Sequence, residues 1–260
     1  MHLKFPLSIY IPTFNRVETL LELLNNIKNT CDSQMRGLIE VVVSDNASTD
    51  LTQQMMKIAL DNGFIDKYIR FSKNRGSDEN ISSCYHSTNG DFVWILCDDD
   101  LPGKESIKNI LSVIEENGDQ ISLIYTNKSI EHMNGEIISK RYTDCPEGIV
   151  TNPISFLNKP GHDLLTASTL VLKNNKSHGE CFKKFGSNQY VASLTLALDA
   201  FTTGPAFLFS EPQIRYREGD KSEWISEWPK IWQKTVPEVF EYYAEIQNIS
   251  FRDLDPRIYR

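Results

Sequence analysis

The chain has 260 residues, 40% of them hydrophobic and 24% charged, with a formal net charge of −8. That is too apolar for a disordered chain, and long enough for one large domain or one domain with an appendage. The negative balance excludes a basic nucleic-acid face as the default, and simple electrostatic adhesion to anionic lipid.

Leu7 to Ile11 is a short β-branched run stopped by Pro12, and reads as a buried strand. Val17, Leu20, Leu21, Leu24 and Ile27 follow at helical spacing. Ile39 to Val43 reads as a second strand, and Asp50 to Leu60 as a helix with Ser48 or Asp50 as its cap. Tyr68 to Phe71 is a third strand, Ile81 to Thr88 a helix, Phe92 to Cys97 a fourth strand, Ser106 to Ile114 a helix and Ile121 to Tyr125 a strand. Beyond Ile130 the pattern loosens. Glu131 to Arg141 reads as a hairpin around Asn134-Gly135. Ser168 to Leu172 and Ala206 to Phe209 read as strands, and Tyr190 to Phe201 as a helix. The tail, Trp224 to Tyr243, carries apolar and aromatic residues at helical spacing, interrupted by Pro229 and Pro237. It suits a helix packed on the domain. A peripheral membrane contact would have to rely on its aromatics, because acidic residues outnumber basic ones there.

Alternating strands and helices joined by short links imply a mainly parallel, Rossmann-like α/β sheet with helices on both faces. The division this suggests is residues 1–128, a ligand-binding half; 129–217, a mixed α+β half; and 218–260, a helical appendage. Five scattered cysteines without a C-x-x-C pair argue against a disulfide framework or a zinc site. The N-terminus has no signal-peptide core, and no apolar run reaches the roughly 20 residues of a membrane span. The expected location is the cytoplasm.

In such sheets ligands bind outside the carboxyl ends of the strands. Polar clusters lie there: Thr13-Phe14-Asn15-Arg16, Asp45-Asn46-Ala47-Ser48, Asn74-Arg75-Gly76 and Asp98-Asp99-Asp100. Three adjacent carboxylates need a cation or rise in pKa. A hard divalent ion resolves the repulsion, and Mg²⁺ typically brings substrate phosphates with it. Asp45, at a strand end, can accept from a base ring N–H, with Thr13 and Asn15 beside it. Arg16 and Arg75 are candidate phosphate contacts. No G-x-x-x-x-G-K-[ST] is present, which excludes a P-loop enzyme. A nucleotidylyltransferase would want a Gly-rich basic loop after the first strand, and Pro12-Thr13-Phe14-Asn15 does not supply one.

In this order, Ser8 to Arg16, Val41 to Asp50, Asn74-Arg75-Gly76 and Gly90 to Asp100 resemble family-2 glycosyltransferases of the GT-A fold. The triple Asp, with Asn80 four residues after Gly76, looks like the bacterial abequosyltransferase-like branch. The resemblance implies an inverting transfer of a sugar from a nucleotide diphosphate sugar to a glycan or lipid-linked acceptor, assisted by Mg²⁺ or Mn²⁺. The acceptor side would be the mixed second half. Pro12, Thr13, Asn15, Arg16, Asp45, Asn46, Arg75, Gly76, Asn80 and Asp98 would contact the nucleotide sugar. Asp99 would hold the metal, with Asp100 as second choice. Counted back from Pro102, the first position of the acidic motif falls on Cys97.

Inversion needs a carboxylate to deprotonate the acceptor. The family carries it in a Glu-Asp pair opening a helix, where this chain has Phe185-Gly186-Ser187-Asn188-Gln189-Tyr190. The family's later metal-binding His is also missing, since Tyr216-Arg217 is followed by Glu218-Gly219-Asp220. Asp163 is the first substitute base, with Glu180 and Glu223 behind it. Asp199, mid-helix, reads as solvated. A non-catalytic sugar-nucleotide-binding or scaffold subunit is the competing expectation.

Overall fold

The computed structural model describes residues 5–187, 189–218 and 226–255. Asn188, Gly219, Asp220, Glu223 and Trp224, named above, lie outside them. The first half alternates as read: β1 (Leu7–Thr13), α1 (Val17–Thr30), α2 (Ser33–Arg36), β2 (Ile39–Asp45), α3 (Thr52–Asp61), β3 (Lys67–Arg70), α4 (Ser77–Ser82), α5 (Cys84–Ser87), β4 (Phe92–Ile95), β5 (Leu101–Pro102), α6 (Ser106–Asn117) and β6 (Leu123–Tyr125). The second half is mixed: β7 (Lys128–His132), β8 (Ile137–Ser139), β9 (Gly148–Val150), α7 (Pro153–Leu157), β10 (Leu170–Lys173), α8 (Glu180–Phe185), α9 (Ala192–Thr203), β11 (Ala206–Leu208), β12 (Ile214–Glu218), α10 (Trp228–Lys230) and α11 (Val236–Ile246).

An eight-stranded sheet has the order β3-β2-β1-β4-β10-β6-β11-β9. Strands β3, β2, β1 and β4 are parallel, whereas β10 runs antiparallel to both β4 and β6. The period-two alternation of strand side chains divides the core into two layers. Leu7, Ile9, Ile11, Val41, Val43, Phe92 and Trp94 pack on one face with α1, α3 and α6. Tyr10, Val42, Val93 and Ile95 pack on the other with α9 and α11. Burial on both faces explains why β1 and β2 read as nearly unbroken apolar runs.

The Ala- and Leu-rich α9 is buried on every side from Ala192 to Phe201, lying between the sheet and the tail. Tail residues Ile231, Val236, Val239, Phe240 and Tyr243 pack against it. This packs into the core much of the face that the sequence offered to a membrane, and Trp228, at 43%, is the most exposed aromatic among the tail's described residues. Pro229 and Pro237 both sit in first turns, where a missing N–H is tolerated. A wider turn, Ile231–Thr235, joins the two pieces, as expected where a proline interrupts the hydrogen-bond ladder. No helix of the described residues is long and apolar enough to cross a membrane.

A second sheet, β5-β12-β7-β8, includes the expected hairpin: β7 and β8 are antiparallel around Gly135 at φ +86°. The two-residue β5 directly follows the triple Asp and pairs with β12, with Arg215 opposite Leu101. That register carries Tyr216 and Arg217 back over the acidic motif.

Candidate functional site

Parallel register sets Thr13 opposite Asp45, and Asp45 opposite Arg70, at the carboxyl rim of β1, β2 and β3. Asp45 is wholly buried. Its Oδ1 accepts from the Ser48 N–H at 2.7 Å, and its Oδ2 from the Tyr68 hydroxyl at 2.6 Å, with Arg70 Nε at 3.2 Å. A carboxylate has about four acceptor sites, so these contacts orient it and leave capacity for one more donor. Tyr68 and Arg70 escape sequence reasoning because nothing in a short strand marks which residue will face its neighbour's end.

The loops between strand ends are cross-braced. Asn15, at φ +54°, donates its backbone N–H to Ser48 Oγ at 2.9 Å and accepts the Thr49 N–H on Oδ1 at 2.7 Å. Asn46 donates Nδ2 to Asn74 Oδ1 at 2.9 Å and to the Gly76 carbonyl at 3.0 Å, and accepts the Arg75 N–H at 2.9 Å. Gly76 takes φ +87°, a conformation that side chains other than glycine rarely adopt. Pro12 lies within β1 opposite Ser44.

Two residues expected to touch the nucleotide are placed otherwise. Arg75 stacks its guanidinium 4.5 Å from the Phe71 ring centroid and pairs with Glu79 at 2.9 Å, on the exposed edge. Asn80 is buried beneath the rim. It accepts the Ser44 hydroxyl at 2.6 Å and donates to the Ser44 carbonyl at 3.1 Å, acting as a strut between α4 and β2. α4 starts directly after Gly76, and its first turn carries Asn80, four residues past the glycine, inward.

The triple Asp is the electrostatic centre. Asp98 accepts the Thr13 hydroxyl at 2.6 Å and Arg16 Nη1 at 3.2 Å. Arg16 also reaches Asp99 at 2.6 Å. Asp100 accepts the Ser168 hydroxyl at 2.6 Å and the Arg217 N–H at 3.0 Å. Arg217 Nε donates to the Asp99 carbonyl, and its Nη1 pairs with Glu22 on α1 at 2.6 Å. Ser168 reaches this rim because β10 is antiparallel: the start of β10 lies at the end of β4. The strand is legible in sequence but its direction is not, which hides Ser168, and Arg217 is hidden because the pairing of β12 with the two-residue β5 leaves no mark in sequence.

Burial pushes the carboxyls of Asp98 and Asp100 up to about 7, and the neighbouring Asp99 charge adds to the effect. Among the described residues, the three carboxyls outnumber the one guanidinium, that of Arg16, in a salt bridge with them. Cys97 Sγ and one carboxylate oxygen each of Asp99 and Asp100 lie within 4.8 Å of one another, and Asp99 keeps a side-chain exposure of 26%. An oxygen-rich, over-charged and accessible donor set fits a divalent cation.

Asp163 is not the open loop carboxylate that the sequence suggests. It is buried in a short 3-10 turn, Gly161–Leu165, where it pairs with Lys128 at 2.6 Å and accepts the Tyr125 hydroxyl at 2.6 Å and the Thr166 hydroxyl at 3.2 Å. Asp199 is not solvated either. It accepts the N–H groups of Cys181 and Phe182, each at 2.9 Å, and so caps α8 from α9. Where the family's acidic pair would open α9, an acid from elsewhere takes the helix start: Asp78 accepts from the N–H groups of Gln189 at 2.7 Å, Tyr190 at 2.8 Å and Ala192 at 3.1 Å. Glu180 pairs with Lys183 at the exposed start of α8.

The sequence profile of glycosyl transferase family 2 matches residues 8–161, which contain the strand-end clusters of Thr13, Asp45, Gly76 and the triple Asp. The chain belongs to glycosyl transferase family 2. Its fold is GT-A: a mainly parallel sheet flanked by helices, with the acidic motif after the fourth strand. Abequosyltransferase RfbV of Salmonella typhimurium is 39% identical over 114 residues, 44% of this chain and 34% of that protein. An uncharacterized glycosyltransferase of Haemophilus influenzae is 28% identical over 155 residues, 60% of this chain and 50% of that protein. The matches thus span a third to a half of these bacterial relatives. Among solved structures, S. aureus TarS 1-349 in complex with UDP-GlcNAc superposes with a TM-score of 0.63 at 18% identity, over 96% of this chain and 68% of that one. Mannosyltransferase PcManGT of Pyrobaculum calidifontis, in complex with GDP-Man and Mn²⁺, superposes with a TM-score of 0.57 at 17% identity, over 98% and 67%. At these identities the likeness is one of fold.

Proposed function

We propose that this family-2 chain transfers a sugar, with inversion, from a nucleoside diphosphate sugar to a glycan or lipid-linked acceptor in bacterial surface polysaccharide synthesis. One observation carries the reading. The braced rim brings Thr13, Arg16, Asp45, Asp98 and Asp99 from the ends of three neighbouring strands, β2, β1 and β4, to one place. Asp45 and Thr13 face the base, Asp98 the ribose, and Arg16 exchanges its carboxylate partners for a phosphate. Asp99, with Asp100 or Cys97 beside it, would hold Mg²⁺ or Mn²⁺. Such an ion supplies Lewis-acid stabilisation of the departing diphosphate. In this reading residues 1–128 hold the donor and 129–217 receive the acceptor. Five unpaired cysteines support a cytoplasmic setting.

The catalytic base is the open part of the proposal. Asp163 is spent on Lys128, which makes it a fixed counter-ion better suited to shaping the acceptor side than to accepting a proton. That same observation favours a second reading, a sugar-nucleotide-binding subunit without turnover. The two are separated by incubating the chain with UDP-, GDP-, CDP- and dTDP-sugars and Mn²⁺. Released nucleoside diphosphate and a glycosylated product support transfer. Tight nucleotide binding without release of diphosphate supports the binding subunit. No binding of any nucleotide contradicts both.

A further inference from the structure

Two arginines touch the acidic motif, and they are held in opposite ways. Arg16 lies on the open side, with its side chain 30% exposed, and pairs with the carboxylates of Asp98 and Asp99. The Arg217 side chain is 3% exposed, and it grips the backbone of the motif rather than its charges. Its Nε donates to the Asp99 carbonyl, and its own N–H donates to Asp100 Oδ1 at 3.0 Å. Its Nη1 then pairs at 2.6 Å with Glu22 on α1. The Ser168 hydroxyl takes the other Asp100 oxygen at 2.6 Å. Asp100 is thus oriented at both oxygens, and each keeps a lone pair for a further ligand.

Arg217 is poorly arranged for stabilising the core. Its counter-ion Glu22 is 53% exposed, and its Nη2 has no hydrogen-bond partner among the described residues. A buried ion pair contributes little net stability unless its remaining donors are satisfied. The same contacts are well arranged for fixing a geometry, because a guanidinium is a rigid planar fork. One prong holds the Asp99 backbone and another holds α1. That helix starts directly after Arg16, so the link also sets where the exposed arginine stands.

We infer that Arg217, anchored by Glu22, is a positioning residue that sets the divalent-cation affinity of the triple Asp by fixing Asp99 and Asp100 against α1. The inference rests on the reading that this motif takes a divalent cation. Charge and geometry act in opposite directions here, which makes the role testable. A fixed cation beside a cation site weakens it by repulsion. Were its charge all that mattered, Arg217→Met would bind the ion more tightly and Arg217→Lys would bind it as the parent does. A residue that orients metal ligands instead loses affinity in both variants, typically by about tenfold or more. The Arg217 N–H survives both substitutions, so the comparison isolates the side chain.

The test is titration of the full chain with Mn²⁺, alone and with UDP, GDP, CDP or dTDP, reading free Mn²⁺ by room-temperature electron paramagnetic resonance. Binding at least about tenfold weaker is expected in Arg217→Lys and in Arg217→Met, in chains that keep the parent's far-UV circular dichroism. Parent-like affinity in Arg217→Lys, or parent-like or tighter affinity in Arg217→Met, overturns the inference. If neither variant folds, the half-exposed Glu22 decides. Glu22→Ala and Glu22→Gln lose the same charge, but only Gln keeps an acceptor for Nη1. Weaker Mn²⁺ binding in Glu22→Ala than in Glu22→Gln upholds the link, and equal binding overturns it. A parent chain that takes up no Mn²⁺, alone or with any of the four nucleotides, overturns the cation reading itself and the inference with it.

Discussion

At the residue scale, Asp163 and Lys128 give the sharpest distinction between a structural and a chemical role. Both are almost fully buried and 2.6 Å apart. Asp163→Asn leaves a buried ammonium without its counter-charge, and the expected cost is about 3–5 kcal/mol in urea unfolding. Unchanged unfolding with abolished turnover would instead make Asp163 the base. Asp98 and Asp100 carry the pH dependence. Their folded carboxyls are raised from 3.8 to about 7, so between those values the folded state holds protons that the unfolded state has released. Stability from these two groups is therefore present below about pH 4 and is lost as pH rises towards about 7. A divalent cation requires the deprotonated forms, so Mn²⁺ reverses the trend locally. The Mn²⁺-induced rise in melting temperature is expected to be about 3 °C or more larger at pH 7.5 than at pH 5. An equal rise at both pH values contradicts this assignment.

At the element scale, two helices start on borrowed acids. Asp78 caps α9 through three backbone N–H groups, and Asp199 caps α8. Asp78→Ala is expected to cost about 2 kcal/mol in thermal unfolding and to loosen the turn at Tyr190, which sits at φ +59°. Gly179 belongs to the same design, because a Cβ there would stand 2.4 Å from the Asp199 carboxyl carbon. Neither cap was legible in the sequence. Capping is recognised when the acid directly precedes its helix, and here the acid lies on another element, more than 100 residues away for Asp78 and Gln189. Parallel strands β1 to β4 were legible because burial on both faces leaves an unbroken apolar run. The sense of β10, and with it the delivery of Ser168 to Asp100, was not, because an apolar run carries no direction. The tail helix was legible from its apolar spacing despite two prolines, both of which fall in first turns.

At the scale of the molecule, the tail is part of the core rather than an appendage resting on it. Phe240 is wholly buried against the α9 layer. Phe240→Ala is expected to destabilise the whole fold by about 3–5 kcal/mol in a single cooperative transition, seen alike by near-UV and far-UV circular dichroism. A separate early transition confined to the tail would contradict that. The same architecture unites the rim with the second sheet, since β5 and β12 bind the acidic motif to the sheet that carries Lys128 and Tyr216. The central claim is that the triple Asp grips a divalent ion bearing a pyrophosphate. The most direct measurement is an anomalous difference map from crystals soaked in Mn²⁺ with UDP, GDP, CDP or dTDP. The account predicts a peak within coordination distance of an Asp99 oxygen, a diphosphate beside it, and Arg16 drawn off Asp99 towards phosphate. A map in which Arg16 still bridges Asp98 and Asp99, with no ion or diphosphate at the motif for any of the four nucleotides, would contradict it.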